Sequence, residues 1–342
     1  MTHHDEPTAS DSSPLIHWRR LPFSDEPLGR QFALSESMLA TLRDVSVPAF
    51  RWYAPRETAL ALGNGQPLTS VDMVACQARG IAVYRRSSGG TAVLVDEAAF
   101  SLDLALPTAH PLATSDVTLA YRWVGEMMAQ AMCALGASGA RAIPTAEVRA
   151  LPALAPDDPL RLACYGALSP WEVVVPPTPG PSPAAAGEGS LASPAATPPT
   201  PGPSPVAAGE GRVWGDVGGV DVMAGRVSNT PRKLVGLCQV RRLGGALFQI
   251  GFYRRFDAQA LAALLAIPDD ARQPLAARLA DATAGLRGEA SRRRPHKGYQ
   301  IMRAVEHALA HYVGGEIEDS EWTQAELATA DRLERDRFER LE

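Results

Sequence analysis

The 342-residue chain has no uninterrupted apolar run of about 18 residues, the length that crosses a bilayer, and no apolar core in its first 14 residues of the kind a secretory leader needs. A cytoplasmic location without membrane attachment is expected. Cysteine is scarce: Cys76, Cys133, Cys164 and Cys238 are widely separated and form no C-x-x-C pair, which speaks against a zinc site and against a disulfide framework. Free thiols are the default. Neither sign of charge dominates, and a formal net charge of −5 leaves no electrostatic footprint for nucleic acid; the local run Arg292-Arg293-Arg294-Pro295-His296-Lys297 reads as a solvated turn. His307 and His311 stand four apart on an expected helix, but no H-E-x-x-H arrangement or third ligand accompanies them, so no metal is expected.

What is present is apolar residue enough for a substantial core, 46% of the chain. Phe32, Leu34, Met38, Leu39 and Leu42 fall at helical spacing and predict an amphipathic helix over 32–44. Residues 50–53 and 58–63 read as strands, Ser70 as the cap of a helix closed by Gly80, and 81–84 as a short buried strand. The turn Ser88-Gly89-Gly90 is expected to form a hairpin leading into 92–95, with 100–106 alternating behind it. Asp116 is expected to cap a helix that gathers Leu119, Trp123, Met127, Met128, Ala131 and Leu135 on one side and stops at Gly136. Residues 233–240 and 246–251 read as two strands joined at Gly244-Gly245, and helices are expected over 258–265, 274–286, 300–312 and 323–341. No apolar stripe is left over to demand a second copy, so the chain is taken as a monomer.

Composition breaks abruptly over 176–227, where Pro, Ala, Gly, Ser and Thr dominate and the stretch 177–189 recurs at 199–211 with Val206 in place of Ala184. Such a sequence has little to bury and is expected to be a largely disordered insertion. The stretches on either side, 171–175 and 233–240, both read as strands that would pair if the insertion looped out. Lengthening a loop costs only about 0.6 kcal/mol per doubling, so that arrangement is affordable. The chain then divides into a disordered tail over 1–14, a catalytic domain over 15–257 interrupted by the insertion, and a helical extension over 258–342 packed on it.

Three stretches carry candidate chemistry. Cys164, in Ala163-Cys164-Tyr165-Gly166, lies in a short irregular segment ahead of a strand, where it fits either a small buried hydrophobe or a nucleophile able to hold an acyl group as a thioester. Ser88-Gly89-Gly90-Thr91 lacks any nucleotide-loop context; its glycines fit either an ordinary turn or backbone laid directly against a ligand. Lys233, at the start of a strand, fits a solvated charge or a cation placed on a developing oxyanion.

Taken together, the segments Arg86-Ser87-Ser88-Gly89-Gly90-Thr91-Ala92-Val93 and Lys233-Leu234-Val235-Gly236-Leu237-Cys238-Gln239-Val240-Arg241 resemble the R-x-S-G-G-x-A-V and K-[LIF]-x-G-x-x-Q-x-R segments of the biotin/lipoate protein ligase and octanoyltransferase family. The likeness covers roughly 28–342 apart from the insertion. Within the family the chain is most similar to the cysteine-dependent octanoyltransferases and amidotransferases, through Cys164 before a Trp-Glu strand and through its charged C-terminal helix. Val95 stands where the ATP-using ligases more often carry His, and Thr91 where they often carry Gly. The resemblance implies an α+β fold, a mixed β-sheet flanked by helices of the biotin-synthetase and lipoate-ligase type, with an apolar tunnel for an eight-carbon chain. It implies that Cys164 takes octanoyl or lipoyl from acyl carrier protein or an octanoylated lipoyl-type protein. The group then passes to the ε-amine of a lysine on a lipoyl domain, of a 2-oxoacid dehydrogenase subunit or the glycine cleavage H protein. Lys233 would polarise the acyl carbonyl, while Arg86, Ser88, Gly89, Gly90, Thr91, Ala92, Val93, Gly236 and Gln239 would line the substrate site. No cofactor is implied on this route. An ATP- and Mg-dependent lipoate-protein ligase is the alternative enzyme, and a catalytically silent lipoyl-domain binder the alternative of another class.

Overall fold

The computed structural model describes residues 17–177, 230–286 and 296–342, so the expectations for 1–14, for almost all of the insertion and for Arg292 to Pro295 lie outside the described residues. Twelve strands are described: β1 (His17–Arg20), β2 (Ser24–Glu26), β3 (Ala49–Pro55), β4 (Ala59–Leu62), β5 (Ala82–Arg85), β6 (Val93–Val95), β7 (Ala99–Pro107), β8 (Arg141–Ala142), β9 (Val173–Val175), β10 (Arg232–Arg242), β11 (Gly245–Tyr253) and β12 (Glu316–Asp319). The helices are α1 (Leu28–Val45), α2 (Met73–Ala78), α3 (Val117–Ala134), α4 (Thr145–Ala150), α5 (Ala258–Ala262), α6 (Asp269–Ala282), α7 (Gly298–Val313) and α8 (Gln324–Arg337). Nine strands form one mixed sheet, ordered β12-β1-β3-β7-β11-β10-β9-β8 with β2 beside β3; β5-β4-β6 form a second, small sheet.

The central strands are largely buried on both sides, so the large sheet needs cover on both faces. On one face Phe50, Trp52, Leu102, Leu104, Phe248, Ile250 and Phe252 pack with Trp123, Met127 and Met128 of α3 and with Ile301, Val305 and Leu309 of α7. A fully buried Leu or Phe contributes about 1.5–3 kcal/mol, which makes this layer the main source of stability. On the other face α1 lies between the sheet and α8 and is therefore buried on nearly every side, its polar Gln31 and Ser35 included. Thr323 caps α8 by accepting from the Glu326 amide while Glu326 accepts from the Thr323 amide, and Arg19 of β1 pairs with the Glu326 carboxylate at 2.9 Å. That reciprocal cap ties the last helix to the sheet edge.

Several local expectations need correction. Asp72, not Ser70, caps the second helix, accepting from the Ala75 amide at 2.8 Å; the Ser70 hydroxyl is spent on Pro67 O within the preceding 3₁₀ turn. Leu119 is 46% exposed in the first turn of α3, off the buried stripe that begins at Ala120. Strands β5 and β6 do not pair; each flanks β4, so the glycine-rich turn between them is a crossover rather than a hairpin. Helix α6 starts at Asp269, after Pro268, and contains Pro274 rather than beginning with it. The run after Tyr253 is not wholly helical, because Glu316–Asp319 adds to β1 as a parallel edge strand. Among the described residues no helix is long and apolar enough to cross a membrane.

Candidate active site

The glycine-rich turn is shaped by one arginine. The Arg86 guanidinium, buried at the end of β5, donates to Gly89 O at 2.9 Å and to Thr91 O at 3.1 Å, so the turn wraps around its own side chain. Gly90 takes a φ of +92°, the left-handed region that favours glycine, and a Cβ there would stand 2.7 Å from the guanidinium. Gly63, at the end of β4, is tighter still: its Cβ would lie 1.8 Å from Gly90 O. Gly63→Ala is expected to push the turn away and cost about 1–3 kcal/mol or more, read as a shift of the urea midpoint at unchanged m.

Cys164 is docked on the far side of that turn. The Ala92 amide donates to Leu162 O and the Cys164 amide to Ala92 O, both at 3.0 Å, which makes a short parallel bridge between the two segments. Cys164 opens a single 3₁₀ turn, Cys164–Gly166, and is half-buried, with Sγ 3.7 Å from where a Cβ on Gly90 would sit. Tyr165 anchors the turn. Its hydroxyl donates to Gly251 O at 2.6 Å and its ring packs on Tyr253 and Phe256. Gly236 and Gly251 leave the room for it, since a Cβ on either would be 3.4 and 3.6 Å from that hydroxyl.

Lys233 is not a solvated lysine. It is 1% exposed, and its ammonium donates to Cys164 O at 2.8 Å and lies 2.8 Å from Glu172 Oε2, itself on a residue 2% exposed. Burial pushes the Glu172 carboxyl up, while Lys233 and the backbone amides of Ser169 and Leu237 pull it back down. Two backbone irregularities produce the encounter. The pairing of β10 with β9 slips between Lys233 and Val235, the one-residue offset that re-aims a side chain. Trp171, just ahead of Glu172, holds a φ of +68°, a conformation that costs a non-glycine residue about 1–3 kcal/mol.

The sheet face beneath these groups is organised in rows. Gly236, Gly251, Ser101 and Tyr53 sit side by side across β10, β11, β7 and β3; Cys238, Gln249, Asp103 and Arg51 form the next row. A cavity of about 90 Å³ opens over both rows and is walled mainly by apolar side chains, among them Leu28, Phe32, Val93, Phe100 and Phe252, with Cys164 on its lining. The polar row is held from behind: Asp103 accepts from Ser35 Oγ at 2.6 Å and from Arg51 Nε at 3.1 Å, and Arg51 also donates to Gln31. Burial raises the Asp103 carboxyl despite Arg51, and it likewise raises the Cys238 thiol, which donates to Ser88 Oγ at 3.3 Å.

Of the residues read from the sequence, Cys164, Arg86, Val93 and Gly236 line the cavity and Ser88 touches its wall through Cys238. Gly89, Gly90, Thr91 and Ala92 build the turn that carries the Cys164 segment. Gln239 is elsewhere: its Nε2 donates to Val117 O at the start of α3, and it is not on the lining. Glu172, Tyr165, Cys238 and the Arg51–Asp103 pair carry the site's polar framework without having been assigned a role. His307 and His311 are exposed on α7, and among the described residues His17, Glu316 and Glu318, on the exposed β1–β12 edge, form the one grouping with metal-ligand spacing.

Residues 28–149 match the family of lipoyl protein ligase A/B catalytic domains, a span that contains the glycine-rich turn but neither Cys164 nor Lys233. Octanoyltransferase LipM of Kyrpidia tusciae is 26% identical over 320 residues, which cover 92% of this chain and 94% of the relative. A bipartite lipoate protein ligase of Thermoplasma acidophilum, described with its E2 lipoyl domain, superposes with a TM-score of 0.62 at 15% identity, covering 94% of this chain and 93% of that one. A lipoate-protein ligase A bound with ATP superposes with a TM-score of 0.58 at 16% identity, covering 93% and 94%. At these identities what the solved structures share with the chain is the fold, a mixed sheet flanked by helices.

Proposed function

We propose, from the premise that this chain belongs to the lipoate-protein ligase and octanoyltransferase family, that it is an acyltransferase of protein lipoylation working through a thioester on Cys164. The donor is an octanoyl or lipoyl thioester on a carrier protein and the acceptor the ε-amine of a lysine on a lipoyl domain. One observation supports this most directly: Cys164 stands on the wall of an apolar cavity while the buried Lys233 ammonium is bonded to that same residue's carbonyl.

In the first half-reaction the Cys164 thiolate attacks the donor carbonyl; the new C–S bond forms, the donor's C–S bond breaks, and the donor leaves as a thiol carrying the proton that Cys164 gave up. In the second, the neutral acceptor amine attacks the Cys164 thioester, the C–N bond forms, the acyl C–S bond breaks, and the Cys164 sulfur leaves and takes up the proton that the amine gives up. Lys233 stabilises the oxyanion of both tetrahedral intermediates, an arrangement most effective in a site from which water is excluded. The apolar cavity walls take the hydrocarbon. Burying seven methylenes is worth on the order of 5 kcal/mol at about 0.8 per CH₂, enough to select chain length. This route uses no cofactor; a ligase would need ATP and Mg to activate the free acid.

Intact-mass spectrometry after incubation with octanoyl-acyl carrier protein, without ATP, tests the route. One added octanoyl group, released by hydroxylamine and mapped to the peptide holding Cys164, is the expected result. No adduct, together with modification of a lipoyl domain when octanoate and ATP are supplied, would replace the transferase by the ligase.

A further inference from the structure

We propose that Glu172 is a positioning residue for Lys233, fixing the ammonium at one point relative to Cys164 so that it meets the acyl oxygen of either half-reaction. The inference rests on the acyl-transfer reading and adds a residue to it. Both ends of the ion pair are clamped through the backbone. Around Glu172, the Trp171 amide donates to Ile143 O at 2.7 Å and the Ile143 amide to Glu172 O at 2.9 Å. The left-handed Trp171 is itself held against α3, where its carbonyl occupies the space a Cβ on Gly125 would need, 2.0 Å away. Around Lys233, the Ala284 amide donates to Lys233 O at 2.8 Å, and the slip in the β9–β10 register turns the side chain toward Glu172.

A strained residue just ahead of β9 and a slip in its pairing with β10 thus converge on a single contact, and that contact aims a group already bonded to the Cys164 segment. A carboxylate there does what an amide could not. It holds the long, flexible lysine stem in one rotamer, while Cys164 O takes a second N–H. With the charge removed, Lys233 keeps the carbonyl but loses the anchor that fixes its direction.

The test uses the full chain with octanoyl-acyl carrier protein as donor and a lipoyl domain as acceptor. Glu172→Gln, nearly isosteric, is expected to lower kcat about 10- to 100-fold with KM for both proteins within about twofold. Glu172→Asp should recover part of the loss, and Glu172→Gln added to Lys233→Met should cost nothing beyond Lys233→Met alone, because the two residues act as one unit. A folded Glu172→Gln with kcat within about threefold of wild type overturns the proposal. Should that variant not fold, Glu172→Asp decides: a fall in kcat of about fivefold at unchanged KM supports the positioning role, and an unchanged kcat overturns it. Wild-type protein that takes up no octanoyl group would instead defeat the acyl-transfer reading itself, so the two failures are told apart by the wild-type adduct.

Discussion

Cys164→Ala is expected to abolish the octanoyl adduct and to lower transfer to a lipoyl domain by at least about 10³-fold while leaving the fold intact. The loss is large because the amine of the acceptor would have to attack the donor thioester directly, without the covalent intermediate that splits the transfer into two steps. The fold should hold because the Cys164 segment is fixed by backbone: its amide bonds to Ala92 O, its carbonyl to Lys233, and the neighbouring Tyr165 hydroxyl to Gly251 O. Half-buried, the thiol contributes little packing, so a stability change within about 1 kcal/mol is expected by urea unfolding. Full transfer activity in this variant would favour the adenylate route, which asks nothing of a cysteine.

Lys233→Met should lose both activity and stability. Removing one oxyanion donor costs on the order of 10²- to 10³-fold in kcat. Removing one partner of a buried ion pair costs about 3–5 kcal/mol, because Glu172 is left in the interior with no counter-charge. The pH dependence of that deficit has a definite sign. Glu172 is already raised above its ordinary value by burial, and Lys233 is the charge that pulls it back, so the substitution raises it further. A group raised in the folded state contributes stability that is complete below its unfolded value, about 4.5 for this carboxyl, and is lost as pH climbs through the folded value. The variant's deficit should therefore be smaller near pH 5 than near pH 8, as urea midpoints at the two values would show. An equal deficit at both would mean that Glu172 finds another partner.

Much of the architecture was legible because apolar patterning and β-branched runs announce strands wherever they fall. Val173 to Val175 and the start of β10 pair across the interrupted chain, as two apolar stretches with no other partner should. The edge strand β12 gave no such signal. Glu316-Ile317-Glu318-Asp319 is exposed and acidic, and its place is set by main-chain bonding to β1, which leaves side-chain pattern free. The site was legible in its segments and less so in its faces. Gly236 and Cys238 look into the cavity and Gln239, one residue on, looks to α3; the period of two in a strand forbids all three from sharing a face. Glu172 and Asp103 offered a readable clue as well. A carboxylate set among Trp and three Val residues, or at the centre of Phe-Ser-Leu-Asp-Leu-Ala-Leu, has to find a partner inside. Which partner is a matter of three-dimensional register: Lys233 lies 61 positions along the chain from Glu172, and a one-residue slip in β10 brings them together.

The seam between β9 and β10 has a further meaning. Cys164 and Glu172 belong to the chain before it and Lys233 to the chain after it. Neither portion contains the set, and only closure of that antiparallel pair assembles it. On the proposed route, activity therefore reports on folding: a molecule with the seam open has the Cys164 thiol but no cation oriented against it. On that route, turnover per molecule counts the chains in which β9 and β10 have paired.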